Sequence, residues 1–355
     1  PDFTLGLLRR IASGNYSFVQ GCHIGVAQIR TRFQAIFHLQ VECEWFYQVP
    51  RMNILGSPPM LGHGVLIRTE SLREVGGFPN VISEDLGLTI LFAEKGLTGI
   101  VEPASVGLEE FPSSYEAYWK RRRRWIQADA EIVRRLLRKL WYAHIPWTAR
   151  LTLVVREMRL PLASACRFVL SVTALSVTAL SGVLDVKTGY SMSPYGWALL
   201  IDLMGPSLPS LLVARLPILS RLRYVVAMPF LGLAASALHP PASVAGLLGR
   251  GHFMPTGSRI TEGDTSLRFY SIWEIASGLL YLSGGLAGAN YALVAVGFAV
   301  VFSPILRTCL GSKFLATGVA VFWGLLSFQI VLDVAQGSMP VEHLFALVGL
   351  TINLI

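Results

Sequence analysis

Two kinds of hydrophobic pattern divide the chain. Up to about residue 160, apolar positions alternate with polar and charged ones over short distances. Beyond that point long uncharged runs take over, at 168–184, 275–306 and 314–332. A crossing of the bilayer core takes roughly 20 apolar residues, and the run at 275–306 is long enough for two closely joined helices. The pattern predicts an integral membrane protein with a water-facing N-terminal part at 1–140, an interfacial helical stretch at 141–161 and a transmembrane helical domain at 162–355.

Within the first part the pattern is that of an α/β domain. "VQGCHIGVA" (19–27) carries strand-like material, and 28–49 shows apolar residues at helical spacing over one long helix. "PPMLGHGVLIR" (58–68) predicts a turn leading into a short strand, and "GGFPN" (76–80) a second turn. "SEDLGLTILFAEKG" (83–96) predicts a helix with Ser83 as N-cap, acids in its first turn and Gly96 as its stop. "TGIVEPASVGLEEFP" (98–112) predicts a strand followed by a loop. From Ser113 to Leu140 the pattern is helical and strongly basic, with an apolar stripe of Ile126, Ile132, Val133, Leu136, Leu137 and Leu140 that suits a membrane interface. Trp141, Tyr142 and Trp147 supply an aromatic belt.

Charge threads the membrane part. If the first domain is cytoplasmic, 162–184 crosses outward and 195–214 returns to Arg215, Arg221 and Arg223, as the positive-inside rule requires. Residues 224–249 are apolar but broken at His239-Pro240-Pro241 and flanked by basic residues, which predicts an interfacial or re-entrant hairpin. Then 270–287 goes out, 290–306 comes back to Arg307 and Lys313, 314–333 goes out and 341 onward begins a return. All basic loops fall on one side. The expected location is a plasma or inner membrane, in contact with membrane lipids, with the first domain in the cytoplasm.

Composition agrees. Of 355 residues 53% are hydrophobic and 15% charged, at a mean hydropathy of +0.53, whereas a soluble domain is about a quarter charged. The net charge of +8 reports orientation in a membrane better than nucleic-acid binding, for which no aromatic-interleaved basic surface is present. Cys22, Cys43, Cys166 and Cys309 lie far apart with no C-x-x-C pair, which argues against a zinc site or disulfide scaffold. The chain begins with Pro1 and ends inside an apolar run, so a fragment of a longer protein is expected. No oligomeric state follows from the sequence.

The chemistry gathers in two places. Ser83-Glu84-Asp85 sits at a predicted helix N-terminus, where acids could simply favour the positive end of the helix dipole. The alternative is a general base that takes a proton from a sugar hydroxyl. "KRRRRW" (120–125) puts Arg121, Arg124 and Trp125 on one helical face. A guanidinium binds phosphate through two parallel hydrogen bonds, and Trp125 offers a flat ring to a sugar. Arg122 and Arg123 point elsewhere, and a basic cluster beside anionic lipid accounts for them.

Taken in order, "GSPPMLGHGVLIRTESLREVGGFPNVISEDLGLTILFAEKGL", "EPASVGLEEFPSSYEAYWKRRRRW" and then paired membrane helices resemble the membrane-embedded family-2 glycosyltransferases. This family includes cellulose, hyaluronan, chitin and bacterial glucan synthases. Its T-E-D acid pair and Q-x-x-R-W box correspond to Ser83-Glu84-Asp85 and Arg121-x-x-Arg124-Trp125. The resemblance implies the C-terminal half of an A-type glycosyltransferase fold, followed by a multi-pass α-helical membrane domain. It implies Asp85, beside Glu84, as the catalytic base, and Arg121, Arg124 and Trp125 near the donor diphosphate and acceptor sugar. Gly62-His63-Gly64 falls where the family has a small-residue turn at the acceptor end.

The implied reaction is inverting transfer from a nucleotide sugar, a UDP-sugar, to a growing polysaccharide. Arg121 in place of the usual Gln resembles the ceramide glucosyltransferase branch, so a lipid acceptor is the alternative to a glycan. A transporter or receptor with a basic cytoplasmic domain is the non-enzymatic alternative. The family's metal-binding D-x-D has no counterpart here; "PDF" (1–3) resembles the stretch just after it. Mg²⁺ or Mn²⁺ is therefore expected from an upstream motif, with no metal ligand assigned within this chain. In "GHFMPTGSR" (251–259), Phe253 and Thr256 keep the spacing of the cellulose synthases' F-x-V-T-x-K gating loop, while Pro255 and Ser258 depart from it.

Overall fold

The computed structural model describes residues 2–25, 31–56, 58–184, 217–251, 265–287, 290–307 and 311–335. The span expected at 195–214, the return from 341 and the gating-loop residues Phe253 and Thr256 lie outside them. The chain divides into two compact units. One comprises Pro1–Ser113, Lys120–Ala165 and His239–Ser258; the other comprises Ser114–Trp119, Cys166–Leu238 and Arg259–Ile355.

The first unit is built on a three-stranded sheet of order β2-β1-β3, with β1 at Phe18–Gly25, β2 at Val65–Ile67 and β3 at Gly99–Glu109. β1 pairs antiparallel with β2, Phe18 opposite Ile67, and parallel with β3, Phe18 opposite Gly99. A central strand is covered on both faces, so nearly every residue of β1 is buried. The parallel register slips between Gly21 and Cys22, whose partners are Glu102 and Val106. Pro103 stands in the skipped stretch and has no N–H to give the ladder. The strand expected from residue 98 runs on to Glu109, so Glu109 closes a strand instead of lying in a loop.

Four helices and one widened turn lie between residues 2 and 74. They are α1 (Asp2–Ala12), α2 (Arg32–Cys43), α3 (Val49–Arg51), α4 (Thr69–Glu74) and a π-helical turn at Glu44–Gln48 between α2 and α3. The long helix expected over 28–49 is thus present from Arg32 with its last turn widened. Pro50, which cannot donate to a carbonyl one turn back, follows directly. α5 (Glu84–Glu94) is apolar all round and buried on both sides. Leu88 and Phe92 pack with Phe18 and Met60. Leu86, Ile90 and Ala93 pack with Ile132, Leu136 and Leu140 of α6 (Tyr115–Trp141) and with Leu153 and Val154 of α7 (Trp147–Leu184).

That packing corrects the reading of the basic helix. Ile126, Ile132, Leu136 and Leu140 are buried in protein, so the apolar stripe of α6 is a core face and not a membrane-lying one. Nearly full burial of four large aliphatics is worth roughly 1.5–3 kcal/mol each, which is reason enough for the pattern. Trp141, Tyr142 and Trp147 are exposed.

The second unit is helical in its described part: α8 (Ile218–Ala234), a 3₁₀ turn (Ser236–Leu238), α10 (Thr265–Ala287), α11 (Tyr291–Arg307) and α12 (Gly311–Ala335), with α9 (His239–Leu247) assigned to the first unit. The helix is interrupted at Ser236–Leu238, just ahead of the expected His239-Pro240-Pro241: Pro240 and Pro241 open α9, where a missing N–H leaves no helical bond unmade. Phe230 gathers the rings of Phe298, Phe302 and Phe322. Gly278 and Gly297 let α10 and α11 approach so closely that a Cβ on Gly297 would lie 2.8 Å from the Gly278 carbonyl. Among the described residues two stretches are long and apolar enough to cross a membrane, Arg221–Leu247 and Phe314–Asp333; α11, at 17 residues, is shorter. Length and composition alone single these two out, and Arg221–Leu247 is largely buried within the protein, as a core helix also would be.

Candidate active site

The turn Gly62-His63-Gly64 is held by a side chain the sequence did not single out. Gln20, fully buried on β1, accepts from the Leu61 amide through its carbonyl oxygen (3.0 Å) and donates through its amide nitrogen to the His63 carbonyl (2.8 Å). The Gly21 amide donates to the Gly64 carbonyl (2.9 Å). Both glycines have positive φ, +83° and +62°, which any other L-residue takes up only with strain.

Gly62 lies against Asp85. A Cβ there would stand 2.9 Å from Asp85 Oδ2. The other carboxylate oxygen is committed: Oδ1 accepts from the Ser83 hydroxyl (2.6 Å) and from the Leu86 amide (2.8 Å). Ser83 does not cap the helix with its own side chain, as the sequence suggested; it bonds Asp85, and Asp85 caps. Among the described residues nothing hydrogen-bonds to Oδ2. Glu84 is exposed beside it.

The start of α5 is fixed from α6. Glu131 accepts from the Ile82 amide (2.8 Å), and Arg135 donates both to Glu131 (2.9 Å) and to the Asn80 carbonyl (2.5 Å). One turn and more earlier on α6, the guanidinium of Arg121 sits 4.4 Å over the ring of Trp125, the i, i+4 pairing expected of a shared face. Burial and the charge of Arg121 lower the pKa of Arg124, and the carboxylates of Asp85 and Glu84 oppose that shift. The two motifs, far apart in sequence, are therefore electrostatic neighbours.

Arg122 and Arg123 are not spare charges facing lipid. Arg123 is only 7% exposed, and Arg122 reaches His239 on α9 at 3.5 Å. Helical spacing alone gave them the wrong surroundings.

His63 reaches further. Its Nε2 lies 3.0 Å from Glu109 Oε2 and its Nδ1 lies 3.1 Å from the Leu61 carbonyl. Burial alone would lower its pKa, but the hydrogen bond and charge of Glu109 outweigh it and hold the ring above its ordinary value. Glu109 is held below its own, because His63 and then Arg121, 3.9 Å away, overcome the effect of burial. His23 on β1 completes the group. Its ring centroid is 4.0 Å from that of His63 and 4.7 Å from that of Trp45 in the π turn. Burial, with the nearby His63, pushes its pKa down to about 4. His23 and Trp45 escaped the sequence argument, although a histidine in a buried strand was a visible signal.

An expected Mg²⁺ can be tested against these residues. His23, His63 and Glu109 form the one group among the described residues that could hold a metal. Two imidazoles and one carboxylate do not suit Mg²⁺, which takes oxygen ligands.

The comparison with known proteins agrees with the geometry. Residues 1–184 match the family model described as "Glycosyl transferase family group 2". That is more than half of the chain, which belongs to this family: it is a glycosyltransferase of family 2. No curated protein matches it. An enzyme is thereby shown, and the transporter or receptor alternative is set aside.

Proposed function

We propose that this chain transfers a sugar with inversion from a nucleotide sugar, a UDP-sugar, to a growing polysaccharide at a membrane, with Asp85 as general base. The observation that carries the proposal is the state of Asp85. One oxygen is tied to the helix start, the other stands free against a glycine, and the Arg124 cation is close by. In a single displacement the acceptor hydroxyl gives its proton to Oδ2 while its oxygen bonds to the anomeric carbon. The bond from that carbon to the diphosphate breaks, and the nucleoside diphosphate leaves with the electron pair. Arg124 offsets the charge that develops on the leaving group, and Glu84 adds to the negative field that holds Arg124 near Asp85. Trp125, with Arg121 stacked on it, gives the acceptor sugar a flat surface, and the backbone of Gly62-His63-Gly64 borders its path.

A lipid acceptor is the second reading, and Arg121 favours it: the box reads R-x-x-R-W, with Arg121 lying over the Trp125 ring. Incubating membranes that contain the full protein with labelled UDP-sugars, then sizing the product, separates the two. Label retained in a long, glycosidase-sensitive polymer supports the polysaccharide reading. Label confined to a single sugar on a lipid supports the second. No labelled product from any nucleotide sugar would contradict both.

A further inference from the structure

We infer that His23, His63 and Glu109 bind a divalent transition-metal ion of the Zn²⁺ type, separate from any metal on the sugar donor. The three side chains come from three adjacent parts of the sheet: the middle of β1, the turn before β2 and the end of β3. Their ligand atoms all lie within 4.8 Å of one another.

The protonation pattern asks for a cation. His63 Nδ1 bonds a backbone carbonyl, so it carries the N–H and leaves Nε2 as the lone-pair nitrogen. Ligating histidines fix their tautomer in this way. That nitrogen faces a carboxylate oxygen at 3.0 Å, the hydrogen bond described above when it is protonated, and a contact that in either case needs a positive charge. Either a second proton or a metal ion can supply it. His23 speaks for the metal: it is 4% exposed, and beyond a contact with the His63 backbone its ring nitrogens have no hydrogen-bond partner among the described residues. A buried polar group left underpaired is destabilising, which a bond to an ion would relieve. His23 also presents Nε2 to the turn, where a Cβ on Gly64 would collide with it. Donors about 2.0–2.2 Å from a tetrahedral Zn²⁺ stand about 3.3 Å apart, close to the spacing of His63 and Glu109.

The donor set selects the metal. Two imidazoles and a carboxylate suit Zn²⁺ and its neighbours, while Mg²⁺ and Ca²⁺ prefer oxygen. Three protein ligands leave a fourth position open. Such an ion would tie the turn to the sheet, and Gly62 in that turn borders Asp85. It would therefore set the width of the space in front of the free Asp85 oxygen. The inference stands on the ligand set and not on the transfer reaction, and its test uses no sugar donor.

The test takes the purified full chain in detergent, stripped with a chelator and titrated with Co²⁺ as a visible-absorbing stand-in for Zn²⁺. One equivalent should bind with the intense visible bands of a four- or five-coordinate site, and Zn²⁺ but not Mg²⁺ should displace it. His63→Gln and Glu109→Gln should each weaken binding at least tenfold. His63 is 46% exposed, so its replacement leaves the core intact. Asp85→Asn should bind Co²⁺ as the native chain does. Absence of the bands in the native chain, or native-like binding by His63→Gln, would overturn the inference. So would an equal loss in Asp85→Asn, which would move the ion to the reaction centre.

Discussion

Asp85 and Glu274 are both carboxylates fastened by their neighbours, and they differ in what is left over. Glu274 of the helical unit is fully buried; Oε1 accepts from the Trp119 indole (2.7 Å) and the Ser303 hydroxyl (3.0 Å), and Oε2 meets Arg307 at 2.6 Å. Arg307 in turn bonds Ser271 (2.9 Å) and lies 4.5 Å over the Trp119 ring. One oxygen is hydrogen-bonded and the other is ion-paired. Around Asp85 one oxygen is used and one is open among the described residues, and nearby His23 is buried with no side-chain hydrogen-bond partner among them. A satisfied polar cluster holds helices together, whereas an unsatisfied one beside a glycine turn has capacity for a ligand.

The largest expected effect tests the closed cluster. Glu274→Ala leaves Arg307 buried without its anion, and losing one partner of a buried pair costs about 3–5 kcal/mol. Thermal unfolding in detergent should show a drop of that order, with any loss of transfer no greater than the loss of folded protein. A loss of transfer in fully folded protein would make Glu274 part of the site. Next come Arg124→Lys, which keeps the charge and loses the fork, and Trp125→Ala. Each should cut transfer more than tenfold, about 1.4 kcal/mol, at nearly native stability. Equal, small effects at positions 121–124 would reduce the run to a charge cluster. Gly62→Ala should act in the same direction. A positive φ costs a side-chain-bearing residue about 1–2 kcal/mol, and its Cβ would crowd Asp85 Oδ2. Transfer should therefore fall further than stability does.

The smallest effect concerns a cluster between these extremes. Burial and then the charge of Glu157 hold the Asp129 carboxyl well above its usual range near 3.8, against the pull of Arg156, Arg159 and Arg122. The folded chain then binds that proton more tightly than the unfolded one. Stability from this group is complete below about pH 3.8 and declines as pH rises through the folded value. Asp129→Asn should flatten that decline in a series of unfolding midpoints from acid to neutral pH. An unchanged slope would show Asp129 ionised in the fold, paired with its arginines.

Much of this was legible because it is local. The helix from residue 84, its stop at Gly96, the shared face of Arg121 and Trp125, and the break before Pro240 all follow from spacing of a few residues. What escaped depends on partners far along the chain. Ser83 looked like a cap because capping preference is a one-residue rule, yet its hydroxyl finds Asp85. The stripe on α6 has the period of any half-buried helix, and only the presence of α5 and α7 tells core from membrane surface. Arg123 reads as a surface charge, and its burial is set by tertiary packing. His23, His63 and Glu109 are joined by strand pairing across more than 80 residues of sequence, which no motif spacing encodes.

The claim that matters most is that the free oxygen of Asp85 takes the acceptor proton. Asp85→Asn keeps an oxygen for Ser83 and the Leu86 amide, so the helix start survives, but it removes the base. Transfer by the purified full protein, measured beside donor binding and expression, should fall by about 10² to 10⁴ with binding and expression largely intact. Turnover at the native rate would contradict the account and leave Asp85 as no more than the cap of its helix.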